Sequence, residues 1–278
     1  ALQINLQRRF TNGLSATVNY TWSKLLDTGG VGNGAAFLDA TAIQDASNFA
    51  REYSYSTLDV PHRFVASWSY ELPFGRKKKF GGDWNGFAQF FFGGWQTSGS
   101  FTWQRGTPIP ITVTNAFPNS VAISSAVRRP NRVAGENFDL AASRENVVAQ
   151  GLWFNPALFV DPIYEVSTNN FVFGNAARTY NDIRRDNYRN INLSLLKNWF
   201  WAEGRQKLQF RAEFLNAFNW VVYGTPVSTL NVTGAVGTAN NNTLDSRNPC
   251  FATQQCFGQV RTQGNTPRSI QFVLRYTF

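Results

Sequence analysis

The sequence predicts an all-β chain: an antiparallel up-and-down transmembrane β-barrel, read as a C-terminal fragment of about seven strands with long extracellular loops. Three observations lead to that fold class. Apolar and polar residues alternate with the two-residue period of a half-buried strand in seven separate segments. Each segment runs about 9 to 12 residues, the length a tilted strand needs to cross a bilayer, whereas soluble sandwiches commonly use shorter strands. The connections alternate strictly between short and long, the pattern expected when tight turns gather at one membrane surface and loops at the other.

The elements follow in chain order. The first strand, near 2–10, sets Leu2, Ile4 and Leu6 against Gln3, Asn5 and Gln7, and the tight turn Thr11-Asn12-Gly13 follows it. The second, near 14–25, interleaves Leu14, Ala16, Val18, Tyr20 and Trp22 with Ser15, Thr17, Asn19, Thr21 and Ser23. The third, near 62–73, places Phe64, Ala66, Trp68, Tyr70 and Leu72 opposite Arg63, Ser67, Ser69 and Glu71. A longer turn through PFGRKKKFGG leads to the fourth, near 93–105, where Trp95, Thr97, Gly99, Phe101 and Trp103 share a side. In the fifth, near 189–201, Ile191, Leu193, Leu195 and Trp199 oppose Asn190, Asn192, Ser194 and Asn198. The sixth, near 206–218, sets Leu208, Phe210, Ala212 and Phe214 against Gln209, Arg211 and Glu213. The seventh, near 268–278, carries Ile270, Phe272, Leu274, Tyr276 and Phe278 on one side up to the last residue. This register aims Arg211, Glu213 and Arg275 into the lumen, where charges find water or a plug. Aromatic residues cluster near both strand ends, as two interfacial girdles require: Trp22, Trp103 and Phe218 at one, Phe10, Phe74, Trp199, Trp201 and Phe278 at the other.

Composition agrees. Aromatic and charged residues each make up 15% of the 278-residue chain, and the long connections are rich in Asn, Thr, Ser and Gly. No apolar stretch approaches a membrane-spanning helix. The chain has no Met and starts ALQINL, so a piece of a longer protein is expected. Strand parity points the same way. With short turns inside, the first strand runs inward and the last ends inside, an odd count, whereas bacterial single-chain barrels carry an even number. At least one upstream strand is expected, because unpaired backbone groups in hydrocarbon cost several kcal/mol each.

Other function classes find little support. The net charge is +9, but its densest cluster, Arg76 to Lys79, sits in a Pro/Gly turn with no basic helix or RNA-binding motif nearby, so no nucleic-acid partner is expected. With His62 as the sole histidine, a hydrolytic triad or His metal cluster has little to work with, and the expectation is a non-enzyme with no catalytic residue, no metal and no cofactor. Cys250 and Cys256 share one loop with five residues between them, which suits a loop-stapling disulfide and an oxidising compartment. Asp182, Arg184, Arg185 and Asp186 read as a solvated rim, with contact to lipopolysaccharide phosphates by the arginines as a second reading. Trp153, Phe154 and Tyr164 either stack on a sugar or pack their loop, and no residue set names a ligand.

A set of motifs carries a family resemblance. FTNGLSATVNYTWSK (10–24), LDVPHRFVASWSYELPFGRKKKF (58–80), GGWQTSGSFTWQRGTP (93–108), WFNPALF (153–159), FGNAART (173–179), YRNINLSLLKNWF (188–200), KLQFRAEFLNAFN (207–219) and the closing RSIQFVLRYTF together resemble the C-terminal barrel of TonB-dependent receptors. Within that group it resembles the Oar-like branch, whose members carry a carboxypeptidase-regulatory-like N-terminal domain, and the resemblance spans residues 1–278. It implies a barrel of about 22 strands around a plug, of which these would be the last. It implies a Gram-negative outer membrane with lipid and lipopolysaccharide around the wall, and TonB and a plug as partners supplied upstream. It also implies that Phe272, Leu274, Tyr276 and Phe278 are the assembly signal read by the barrel-assembly machinery. The expected function is ligand capture by outer loops and import through the plugged barrel. The alternatives are a surface interaction or adhesion protein of the same architecture, and a soluble carbohydrate-binding sandwich.

Overall fold

A computed structural model describes residues 1–29, 43–45, 47–76, 78–113, 128–133, 143–160, 173–201, 206–230 and 257–278. Cys250, Cys256 and Tyr164 lie outside the described residues. Seven strands form one sheet: β1 (Leu2–Thr11), β2 (Leu14–Trp22), β3 (His62–Glu71), β4 (Trp95–Gln104), β5 (Tyr188–Trp201), β6 (Gln206–Leu215) and β7 (Ser269–Thr277). They lie in chain order, each antiparallel to the next, as an up-and-down meander requires. Among the described residues no helix is long and apolar enough to cross a membrane.

Local chemistry explains where strands stop. Asn12 and Gly13 take positive φ values of 52° and 81°, so the β1–β2 hairpin closes through a turn whose twist matches its strands. β2 ends at Trp22 because Ser23 and Leu25 turn toward the next loop, where they bond to Val60 and Asp59. β6 ends when Asn216 adopts a left-handed φ of 49° and its side chain bonds to Trp220 and Thr266.

Register decides what each face carries. Across the sheet, Ile4 pairs with Tyr20, Tyr20 with Phe64, Phe64 with Trp103, Phe101 with Ile191, Leu193 with Phe214 and Phe214 with Ile270. Directly paired residues project to the same side, so a single apolar face runs over seven strands. The opposite face is a lattice of amides and hydroxyls, in which Gln96 donates to Ser69 at 2.8 Å and Gln209 to Asn198 at 3.0 Å. No second sheet covers the apolar face among the described residues. Leu6, Phe272 and Leu274 on the edge strands are more than half exposed. At the loop end Trp220 leans over Phe101 at 6.1 Å and beneath the Arg189 guanidinium at 5.6 Å.

At the turn end the structure adds an element that alternation did not reveal. Residues 72–94 form a turn holding helix α1 (Gly86–Phe92), capped by the Asn85 side chain, which accepts from Ala88 N at 2.8 Å. Its C-terminal end lies against the apolar face. The reason is Lys197, whose pairing with Trp95 and Phe210 puts a cation on that face. A lysine facing hydrocarbon costs about 2–4 kcal/mol at the bilayer midplane and less near its edge. Here the ammonium is buried and donates to the carbonyls of Phe91 at 3.1 Å and Gly93 at 2.5 Å, the electronegative end of α1. The indole rings of Trp95 and Trp199 flank it at 5.1 and 5.2 Å.

Gly99 marks a close approach in the sheet: a Cβ there would come within 2.5 Å of the Trp68 ring and 2.8 Å of the Asn192 carbonyl. Gly99→Val is expected to push Trp68 out of its rotamer and destabilise the wall by about 1–3 kcal/mol. Urea unfolding of the full-length protein in detergent, followed by the gel-mobility shift between folded and boiled barrel, measures this. An unchanged midpoint would contradict the packing.

Candidate functional site

The three long connections, 23–61, 105–187 and 216–268, leave the same end of the sheet. Among the described residues they supply every buried hydrophobic residue except Ala212. Ile109, Ile111, Trp153, Phe154, Leu158, Phe159 and Ile183 from the second loop pack with Leu230, Phe257 and Val260 from the third. Phe257 meets Phe154 edge-on at 5.0 Å, and a short parallel ladder joins Thr112–Val113 to Thr229–Leu230. A single sheet with no second layer over its apolar face among the described residues has no interior of its own, so the dry core forms where loops meet.

The first loop joins this cap through charge. Among the described residues, three ion pairs set acids of the first loop against arginines of the second. Glu52 holds Arg129 at 2.7 Å, Asp59 holds Arg184 at 2.6 Å, and Asp27 holds Arg178. Gln44 reinforces the seam, accepting from Arg129 N at 2.7 Å and donating to the Gly174 carbonyl at 3.0 Å. Burial presses the Arg129 guanidinium below its ordinary range, while Glu52 pulls it back up. The third loop is tied in by Asp186, which accepts from Arg144 at 2.6 Å and from Tyr223 N at 2.9 Å.

These contacts correct one expectation and decide between the two readings of another. The 182–186 cluster is no solvated rim. Arg184 and Asp186 are buried and internally paired, Asp182 is half-buried near Arg132 at 4.0 Å, and Arg185 alone of the four is exposed. Arg184 reads as solvated in the sequence because its acid partner, Asp59, stands 125 positions away. Trp153 and Phe154 are core residues, Trp153 donating to the Arg184 carbonyl at 2.6 Å, so neither ring is presented to a sugar. His62 begins β3 and its Nδ1 lies 2.9 Å from the Tyr20 hydroxyl, a structural contact.

Beneath the cap, Arg211, Glu213 and Arg275 stand on the polar face. Arg211 bonds to Glu213 at 3.3 Å, Gln271 also donates to Glu213, and Arg275 pairs in register with Gln209. At the sheet's margin β7 bonds to β6 on one side only among the described residues. Phe272, Leu274 and Tyr276 project from the apolar face, Phe272 stacking on Phe210 at 6.2 Å and Tyr276 on Trp201 at 6.2 Å. Phe278 is 93% exposed.

Removing one member of a buried ion pair strands the other. Arg184→Met in the full-length protein is therefore expected to cost about 3–5 kcal/mol of cap stability, and the double change with Asp59→Leu to recover most of it. Hydrogen exchange over residues 105–113 and 176–187 reads the loss; equal protection in the single and double variants would refute the coupling.

Comparison with known proteins matches the chain to one family model, "Outer membrane beta barrel domain", over residues 1–271. Searches of curated proteins and of solved structures returned no match. The uncovered apolar face, the amide-lined opposite face and the meander order are what such a domain needs in lipid. The chain belongs to the outer membrane β-barrel domain family and resides in the outer membrane.

Proposed function

We propose that this domain is part of the barrel wall of an Oar-like TonB-dependent receptor, which captures a ligand with its outer loops and imports it through a plugged lumen. The observation that carries the reading is the pairing of a packed outer cap with a polar wall beneath it. Loops that share a hydrophobic core and buried ion pairs present a fixed surface, which lowers the ordering cost of capture. A wall lined by Asn, Gln, Ser and Thr suits a water- or plug-filled interior. The order of the motifs along the chain supports the Oar-like assignment. Arg211, Glu213 and Arg275 are then lumen residues facing the plug, and no residue of the domain is assigned a catalytic or cofactor role. Arg185 remains for lipopolysaccharide phosphate at the outer rim.

The cap's self-contained core favours a second reading, a surface interaction protein through which nothing passes. TonB separates the two. Full-length protein in outer-membrane vesicles is expected to bind the purified periplasmic domain of TonB, and absence of binding would leave the surface reading standing.

The terminal strand is proposed as the assembly signal, because its ring-bearing face is exposed and its outer edge takes no partner strand among the described residues. Tyr276→Ala with Phe278→Ala is expected to reduce the folded, gel-shifted fraction in outer-membrane extracts severalfold, with unfolded protein accumulating in the periplasm. Undiminished assembly would remove the proposed role.

A further inference from the structure

We infer that the 72–94 turn is a membrane-interface anchor, with α1 lying in the phospholipid leaflet at the turn end of the barrel and its phenylalanines among the acyl chains. The inference rests on the family assignment and on turns facing the periplasm. Phe87, Phe90 and Phe91 occupy one side of α1 at helical spacing, and Phe87 is 72% exposed. Three uncovered rings on one side of so short a helix are costly in water, and Phe92 adds a fourth exposed ring. They are also continuous with the apolar face: Phe87 meets Phe91 at 4.9 Å, Phe91 meets Phe90 at 5.1 Å, and Phe90 meets Trp199 at 5.4 Å. Trp201, Tyr276 and Phe278 extend the same rim on the other side of Trp199. The helix therefore widens a surface that already meets hydrocarbon.

Its attachment to the wall is equally specific. Lys197 grips the Phe91 and Gly93 carbonyls, and the indoles of Trp95 and Trp199 donate to Phe91 O at 2.8 Å and Phe90 O at 2.9 Å. Three side chains on the apolar face thus hold the C-terminal end of α1, fixing its depth relative to the strands. The polar part of the turn carries the complementary charge. Arg76, Lys78 and Lys79 are exposed, and a cleft of about 740 Å³ beside α1 has Glu71, Arg76, Lys78, Trp95, Lys197 and Trp199 among its lining residues. Cations above an aromatic floor match a lipid whose phosphate lies at headgroup level and whose chains lie deeper. Lys78 bonds to Glu71 at 2.5 Å, which leaves Arg76 and Lys79 as the residues best placed for phosphate. Arg76, Lys78 and Lys79 are on this account the polar half of an interfacial anchor.

The test uses full-length protein with Cys250 and Cys256 changed to Ser and Phe91→Cys labelled with bimane, reconstituted in phosphatidylethanolamine and phosphatidylglycerol bilayers. Acyl chains brominated near the carbonyl are expected to quench most of the emission, and aqueous iodide to quench little. Quenching by iodide alone would show a solvated turn, and quenching by neither would show a second copy or another protein on the rings; either result overturns the inference. Phe87→Cys serves in the same way if the first variant does not fold. Lys197→Met is expected to make the label accessible to iodide while the barrel keeps its gel shift, and an unchanged label would remove the lysine from the account. The readout does not involve TonB, so it stands or falls apart from the transport reading.

Discussion

A peptide group in hydrocarbon has no water to bond, and that constraint organises this protein. Each interior strand must give its amides and carbonyls to neighbours on both sides, so the chain crosses up and down in order and pairs sequential strands. Side chains then sort by parity: once Tyr20 faces lipid, pairing carries the same facing through Phe64, Trp103 and onward to Phe272. The amide and hydroxyl lattice on the other face is the complement of that sorting, since those groups need partners that lipid cannot supply.

Because the wall uses lipid as its apolar contact, stability through burial has to come from elsewhere. The long loops provide it. They act as a small α/β-poor globule with a core of aromatic and branched residues, and the acid-bearing loop docks on the arginine-bearing one through buried pairs. Such pairs contribute less through net energy than through specificity, because a misdocked loop would leave several charges buried and alone. The cap is thereby held in one arrangement above the polar wall, which is the condition for a surface that recognises anything.

Lys197 shows the same constraint acting locally. A cation on the apolar face is tolerated because a short helix turns its carbonyl end toward it and two indoles close around it. The lysine and the helix make sense only together: without α1 the charge would face lipid, and without the lysine the helix would lose a principal hold on the wall.

The sequence by itself determined the wall. Alternation with a period of two is a local property, so seven strands, their faces and the placing of Arg211, Glu213 and Arg275 opposite the apolar side were legible from neighbouring residues alone. Even so, Asn216 ended β6 earlier than alternation implied, because its left-handed backbone depends on contacts with Trp220 and Thr266. What only the tertiary structure decided was how distant segments meet. Arg184 and Asp59, Arg129 and Glu52, and Lys197 and the carbonyls of α1 are separated by long stretches of chain with no periodicity to link them. Whether an arginine is solvated or buried, and whether a run of phenylalanines is a turn or a helix against the wall, is set by the partner that arrives in space, and residue order carries no local mark of it.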